Sequence, residues 1–228
     1  MARLLLLALE FAAVFVVVPL LIYYRRIPNL PIPYLLLAAF GGFLLLRGDA
    51  SFNLSQLNAW GNIRPFLATI LIRDALCIAG LAIAVYLLAP DLLFSLLRRS
   101  PLLWALIFLL YPLLSVYPQE LLYRAFFFHR YQPLFGSGWG MLLASALAFG
   151  FVHIIFRNWV AVGLCVIGGF LFSLTYQTSG SLLLACLDHA IFGNFLFTIG
   201  LGQFFYHGFR TCLPALHSSP QTGLHPLK

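Results

Sequence analysis

The stretch YPQELLYRAFFFHR, residues 117–130, decides how the chain is interpreted. It places Glu120, Arg124 and His129 among aromatic and aliphatic side chains. Glu120 and Arg124 are four residues apart, so on a helix they share a face and the carboxylate can pair with the guanidinium. Ionisable groups inside apolar segments are costly and by default mark a functional site. The stretch therefore predicts a helix that carries a polar site in apolar surroundings.

The composition of the whole chain is typical of a membrane protein. Of its 228 residues, 62% are hydrophobic and 8% are charged, and the mean hydropathy is +0.98. A soluble domain carries about 25% charged residues, so a soluble fold of this chain would expose too much apolar surface. Long apolar runs without alternating short strands favour helices over a barrel. We expect an all-α, polytopic transmembrane helical bundle of about seven or eight membrane helices.

The net charge of +7 does not indicate a nucleic-acid partner. The basic residues include two short pairs at the ends of apolar runs, Arg25-Arg26 and Arg98-Arg99, which is how loop charges anchor a membrane topology. Both pairs are expected on the cytoplasmic side. The four cysteines lie far apart and are interpreted as small apolar residues. We expect a multi-pass integral protein of a bacterial-type inner (plasma) membrane.

The apolar runs predict one transmembrane domain, residues 1–206, and a polar tail, residues 207–228. The first run is long for a signal peptide and carries Glu10, so it is predicted to be a membrane helix. The polar stretch 47–64 is expected at the lipid headgroups. Pro118 suits the first turn of a helix, so the helix that carries Glu120 is expected to begin there. Helical segments are predicted over 4–24, 33–46, 65–89, 102–116, 118–131, 140–156, 159–175 and 181–206.

Three of the later helices carry polar residues that suit one shared pocket. Glu120 lies on the first, His153 on the second and His189 on the third. A carboxylate and an imidazole can deprotonate a water, while the other imidazole and an amide stabilise an oxyanion. Alternatively, Glu and two His can bind zinc with an open coordination position. Composition does not separate the two chemistries, although the HExxH arrangement is absent.

These residues resemble the signature of the CAAX protease and bacteriocin-processing family of intramembrane proteases, which includes Rce1-like and Abi-type members. The family pattern is EExxxR, FxxxH and HxxxN or HxxxD on separate membrane helices. In this chain the resemblance covers residues 110–205, the expected catalytic core. The matching residues are Gln119-Glu120-x-x-x-Arg124, Phe149-x-x-x-His153, and His189 with the nearby Asn194.

The resemblance implies hydrolysis of a peptide bond in a membrane-embedded cavity, with a membrane protein or peptide as substrate and the lipid bilayer as surroundings. In the family, a motif-one glutamate and the motif-two histidine activate water, and the motif-three histidine and its asparagine stabilise the oxyanion. No cofactor is expected, since zinc has no strong motif here. The catalytic candidates are Glu120, His153, His189, Arg124 and Asn194, and the substrate-binding candidates are Gln119 and Asn158.

The chain departs from the family pattern at two positions. Gln119 stands where the family carries its first glutamate, and an amide cannot act as a general base. Glu120 becomes the acid/base candidate, although on a helix it points about 100° away from Gln119 and faces the motif-one arginine, which weakens it as a base. Asn194 follows His189 by five residues instead of four, and Gly193 occupies the matching position.

Two other functions stay open. A catalytically weakened family member that binds or scaffolds another membrane protein is favoured by Gln119. A transporter or lipid-handling protein would need further polar residues along the other helices, and the sequence has few. Arg73 and Asp74 are expected to form a structural pair or to lie near the site. Asp188 is expected to orient a neighbour or to cap.

Overall fold

The computed structural model describes residues 1–29, 31–58 and 63–205 as helices and their connections, with no strand in this part of the chain. Six described helices are long and apolar enough to cross a membrane, and a shorter apolar helix follows them. This confirms the helical membrane bundle, but the expected count of seven or eight is wrong. The helices are α1 (Ala2–Tyr23), α2 (Pro31–Gly48), α3 (Arg64–Leu88), α4 (Pro101–Arg130), α5 (Trp139–Phe156), α6 (Trp159–Ser179) and the shorter α7 (Leu182–Thr198).

The count falls from eight predicted segments to six because two of them form one helix and because the last helix, Leu182–Thr198, is shorter than a full span. The segments 102–116 and 118–131 join in α4, which continues for 30 residues. Pro118, predicted to begin a helix, lies inside it. π-helical turns over Pro112–Val116 and Leu121–Phe126 flank this position. Their i to i+5 hydrogen bonds widen the helix locally, so it continues past residues that lack an N–H donor.

The last helix is shorter than predicted. The segment 181–206 was expected to be helical throughout, but α7 ends at Thr198. Gly200 then adopts φ +94°, and a Cβ there would collide with the carbonyl of Leu92. A glycine is required at such a position because other residues are strained at positive φ. The predicted tail, residues 207–228, lies outside the described residues.

The centre of the bundle is the antiparallel pair α5 and α6. In α5, 50% of the residues of the apolar stretch are buried inside the protein, whereas in α3 the share is 17%. Helix α5 is therefore central, and α3 presents most of its surface outwards. The two central helices approach closely at Gly169, where an added Cβ would lie 2.9 Å from Cδ1 of Phe149 and 3.3 Å from Cα of Ala146. Small residues allow such close contact between membrane helices.

Replacing Gly169 with alanine is therefore expected to lower the free energy of unfolding by about 1–3 kcal/mol, the usual cost of overpacking. The matched control is Gly163→Ala on the same helix, because a Cβ at Gly163 meets nothing within 4 Å. This control is expected to gain about 0.5–1 kcal/mol from helix propensity. Denaturant unfolding in detergent micelles measures both values. A Gly169 variant as stable as the control would contradict the close approach.

The two ends of the bundle are held by different polar contacts. At one end, Arg157 donates to the carbonyl of Tyr23 and its guanidinium lies 4.9 Å from that ring. The antiparallel helices bring both basic pairs, 25–26 and 98–99, to this end. At the opposite end, His129 pairs with Asp49 at 2.9 Å. Hydrogen bonds from Ser51, assisted by His129, hold the pKa of the Asp49 carboxyl well below its usual range.

Candidate active site

Glu120 is the centre of the site. It lies in α4 between the two π-helical turns, about 15 Å from the end of that helix, and none of its surface is exposed. One carboxylate oxygen, Oε1, lies 2.8 Å from Nδ1 of His189 on α7. The other, Oε2, forms an ion pair with Nε of Arg124 at 3.1 Å. The fold thus joins the first and third motifs inside the protein.

Arg124 is fully buried and is held by α5 and α6 as well as by Glu120. Its Nη1 donates to Oγ of Ser145 at 3.0 Å, and Ser173 donates to the same Oγ at 3.1 Å. The guanidinium also lies 5.1 Å from the centre of the Phe149 ring. Both serines were missed by the sequence analysis, because single serines in apolar helices carry no motif. They fix the cation that neutralises the Glu120 carboxylate.

His189 uses both ring nitrogens. Nδ1 faces the Glu120 carboxylate, and Nε2 lies 3.0 Å from the hydroxyl of Tyr111. Because the carboxylate accepts, we assign Nδ1 as the donor, and Nε2 then accepts the Tyr111 proton. The imidazole also stacks on Phe172, with ring centres 4.5 Å apart and an angle of 14°. The result is a row of acid, imidazole and hydroxyl in fixed orientation.

His153 presents a ring nitrogen for chemistry. It begins the last turn of α5, and its Nδ1–H donates to the Phe149 carbonyl at 2.7 Å. This hydrogen bond leaves the lone pair on Nε2, the form that can accept a proton. Only 9% of the residue is exposed. The Phe149 ring lies 5.0 Å from His153 and 5.5 Å from His189, so one aromatic side chain contacts both imidazoles.

The three candidate amides have hydrogen-bond partners other than Glu120 and His189. Gln119 donates to Oγ of Ser115 at 2.6 Å. Asn194 donates to the Phe108 carbonyl at 3.2 Å. Asn158 caps α6, with its Oδ1 accepting from the N–H of Ala161 at 2.8 Å and its Nδ2 donating to the carbonyl of Phe204 at 2.8 Å. The structure therefore brings together the acid, the cation and the imidazoles, and it places each amide on a neighbouring hydrogen-bond partner.

A second buried polar cluster includes Asp188, the residue that precedes His189 in the sequence. Arg73 on α3 contacts Asp74 at 3.0 Å and Asp188 at 2.5 Å through the same nitrogen, Nη2. Thr175 on α6 donates to the other Asp188 oxygen at 2.6 Å. The pairing of Arg73 with Asp74 thus extends to the residue before His189. This cluster ties α3 and α6 to α7 at that point.

The donors of the site do not fit a zinc ion. Within residues 1–29, 31–58 and 63–205, no group of three or more His, Cys, Asp or Glu side chains is placed to hold a metal. Both nitrogens of His189 and one oxygen of Glu120 already face hydrogen-bond partners. Binding an ion through them would require these hydrogen bonds to break.

Tyr111 contacts His189 through its hydroxyl, and the sequence analysis did not single it out. It ends the first regular part of α4, and the π-helical turn Pro112–Val116 follows it. A tyrosine in an apolar run has the pattern of an ordinary core residue. The available signal was Gly193, four residues after His189, because a glycine on a membrane helix leaves room for a group from another helix.

Comparison with known families identifies one match. Residues 99–195 match the family model described as Type II CAAX prenyl endopeptidase Rce1-like. No curated protein and no solved structure matches the chain. The matched segment contains Glu120, Arg124, His153 and His189, which are the buried ionisable residues of the candidate site. The family resemblance drawn from the three motifs is confirmed.

Proposed function

We propose, from the match of residues 99–195 to the Rce1-like family model, that the chain is an intramembrane endopeptidase. It hydrolyses a peptide bond of a membrane-anchored substrate in a bacterial-type plasma membrane. The observation that carries the proposal is the contact of 2.8 Å between Glu120 and His189, backed by Arg124. Buried ionisable groups are expensive in a membrane protein, and they persist where they do chemistry.

His153 is the proposed general base. Its Nε2 carries the lone pair, whereas both oxygens of Glu120 face a cation or an imidazole. Nε2 takes a proton from a water, and the water oxygen forms a bond to the carbonyl carbon of the substrate. The protonated imidazole then passes the proton to the amide nitrogen as the C–N bond breaks. The products are a new carboxyl end and a new amino end.

His189 and its partners stabilise the intermediate. Negative charge collects on the carbonyl oxygen as the tetrahedral intermediate forms, and hydrogen-bond donors lower its energy. In this proposal His189 donates to that oxygen from Nε2, which requires a hydrogen on Nε2 and the release of the Tyr111 hydroxyl, its partner at 3.0 Å. The Glu120 carboxylate faces Nδ1 and fixes the orientation of this imidazole, and the Arg124 guanidinium lies against the other oxygen of the same carboxylate. Glu120 therefore supports His189 and Arg124 supports Glu120. In this proposal, protein side chains alone assist the attack by water and the stabilisation of the intermediate.

The test uses the purified full chain in phospholipid vesicles. The substrate probe is a peptide that ends in Cys-Val-Ile-Met with a farnesyl group on the cysteine, paired with its unprenylated twin. Mass spectrometry is expected to detect cleavage by the parent and about a 10²-fold slower rate for His189→Ala. Cleavage of the farnesylated peptide alone would define a prenylated substrate. Binding of both peptides without cleavage would contradict the proposal.

A second candidate function is binding without turnover. The observation in its favour is Gln119, whose amide is bound to Ser115 where the family pattern has a glutamate. In this case the parent binds the vesicle-bound peptide but does not cut it. Gln119→Glu is then expected to create cleavage that the parent lacks, because a carboxylate can act as a base and an amide cannot. A parent that cleaves the peptide by itself would exclude this candidate.

A further inference from the structure

The position four residues after His189 is open because Gly193 has no side chain. A Cβ at Gly193 would lie 2.5 Å from both Cε1 and the hydroxyl oxygen of Tyr111. No real Cβ tolerates such a contact with a fixed ring. The Tyr111 ring therefore occupies the space that any side chain at position 193 would need. The glycine and the tyrosine belong together sterically.

Tyr111 is held so that its hydroxyl meets His189. The hydroxyl oxygen lies 3.0 Å from Nε2 of His189. The ring packs edge-on against Phe197 with centres 5.4 Å apart, and edge-on against the imidazole with centres 5.9 Å apart. Both contacts are on α7, one turn to either side of Gly193. The phenol is thus fixed by the helix that carries its hydrogen-bond partner.

We propose that Tyr111 is the positioning residue of the third motif and takes the place of the amide or carboxylate that the family pattern has four residues after the histidine. Asn194 does not fill this role, because it donates to the Phe108 carbonyl instead. This inference rests on the proposed function and names the residue that sets the imidazole for it.

The consequence is a single hydrogen-bonded row through His189. The hydroxyl of Tyr111 donates to Nε2, and Nδ1–H donates to Glu120. A partner at each nitrogen fixes both the tautomer and the ring orientation of an imidazole. Removing only the Tyr111 hydroxyl oxygen should therefore change His189 without changing the packing.

The experiment compares Tyr111→Phe with the matched control Tyr117→Phe, which removes a hydroxyl from the same helix. Nitrogen-15 NMR of the full chain in detergent micelles reports the state of the His189 ring. Tyr111→Phe is expected to shift the Nε2 signal of His189, while the control leaves it unchanged. Cleavage is expected to slow about tenfold, the value of one hydrogen bond. Unchanged His189 signals in Tyr111→Phe would overturn the inference.

A second pair of variants tests the exchange of partners. Tyr111→Ala removes the ring and the hydroxyl, and Tyr111→Ala with Gly193→Asn adds an amide where the ring was. The double variant is expected to recover the bonded Nε2 signal and most of the lost rate. Failure of the double variant to restore the signal would contradict the inference. If the parent cleaves neither peptide, the proposed function fails while the NMR signals still decide the role of Tyr111.

Discussion

Replacing His153 with alanine is expected to lower the rate of peptide cleavage about 10²- to 10⁴-fold, the usual contribution of a positioned base. The reason is that its Nδ1–H is committed to the Phe149 carbonyl and its Nε2 is left to accept a proton. The other buried imidazole among the described residues, His189, has partners at both nitrogens. The cleavage rate of the farnesylated peptide by the variant, relative to the parent, measures the loss.

The control for this variant is His129→Ala. His129 lies at the end of α4, and its Nε2 bonds to Asp49 at 2.9 Å, away from the row of polar residues. Its replacement is expected to leave the cleavage rate close to that of the parent, because His129 bonds to Asp49 and not to any residue of the site. Equal losses in the two variants would mean that the imidazole of His153 has no special role.

Replacing Arg124 with methionine is expected to lower the free energy of unfolding by about 3–5 kcal/mol, the usual cost of removing one partner from a buried ion pair. The substitution leaves the fully buried Glu120 carboxylate without its cation, 3.1 Å away in the parent. It also removes the donor to Ser145. Unfolding in mixed detergent micelles, followed by circular dichroism, measures the change.

Two further variants separate charge from packing. Arg130→Met breaks the half-exposed pair with Glu10 and is expected to cost about 0–1 kcal/mol. Arg124→Met combined with Glu120→Gln removes both charges and is expected to recover most of the stability lost in Arg124→Met, since no charge is left buried alone. A double variant less stable than Arg124→Met would show that the ion pair is not the source of the effect.

Composition and local spacing were sufficient to predict the fold class. So few charged residues in so apolar a chain exclude a soluble fold, and the apolar runs place most helices within a few residues. The helix boundary expected at Pro118 was wrong because the outcome depends on the π-helical turns on either side of it. Whether a proline begins a helix or sits inside one depends on the backbone around it, which residue type alone does not determine.

The polar members of the site were predictable, but their partners were not. Spacing of four residues indicated that Glu120 and Arg124 share a helix face, and the structure shows the pair. The contact between Glu120 and His189 joins residues 69 apart, so only the packing of α4 against α7 reveals it. The contact of Tyr111 with His189 is harder still to predict, because the hydroxyl reaches the imidazole only where Gly193 leaves space. The sequence shows the glycine at the motif position, but it does not show which side chain fills the space.

The most direct test of the account is cleavage in water enriched in oxygen-18, with the purified chain in vesicles and the farnesylated peptide as substrate. If water activated by His153 attacks the peptide carbonyl, the product with the new carboxyl group carries one oxygen from the labelled water, and the product with the new amino group carries none. The His153→Ala variant should form almost no labelled product. A parent that binds the peptide but releases no labelled product, or a variant that forms it at the parent's rate, would contradict the account.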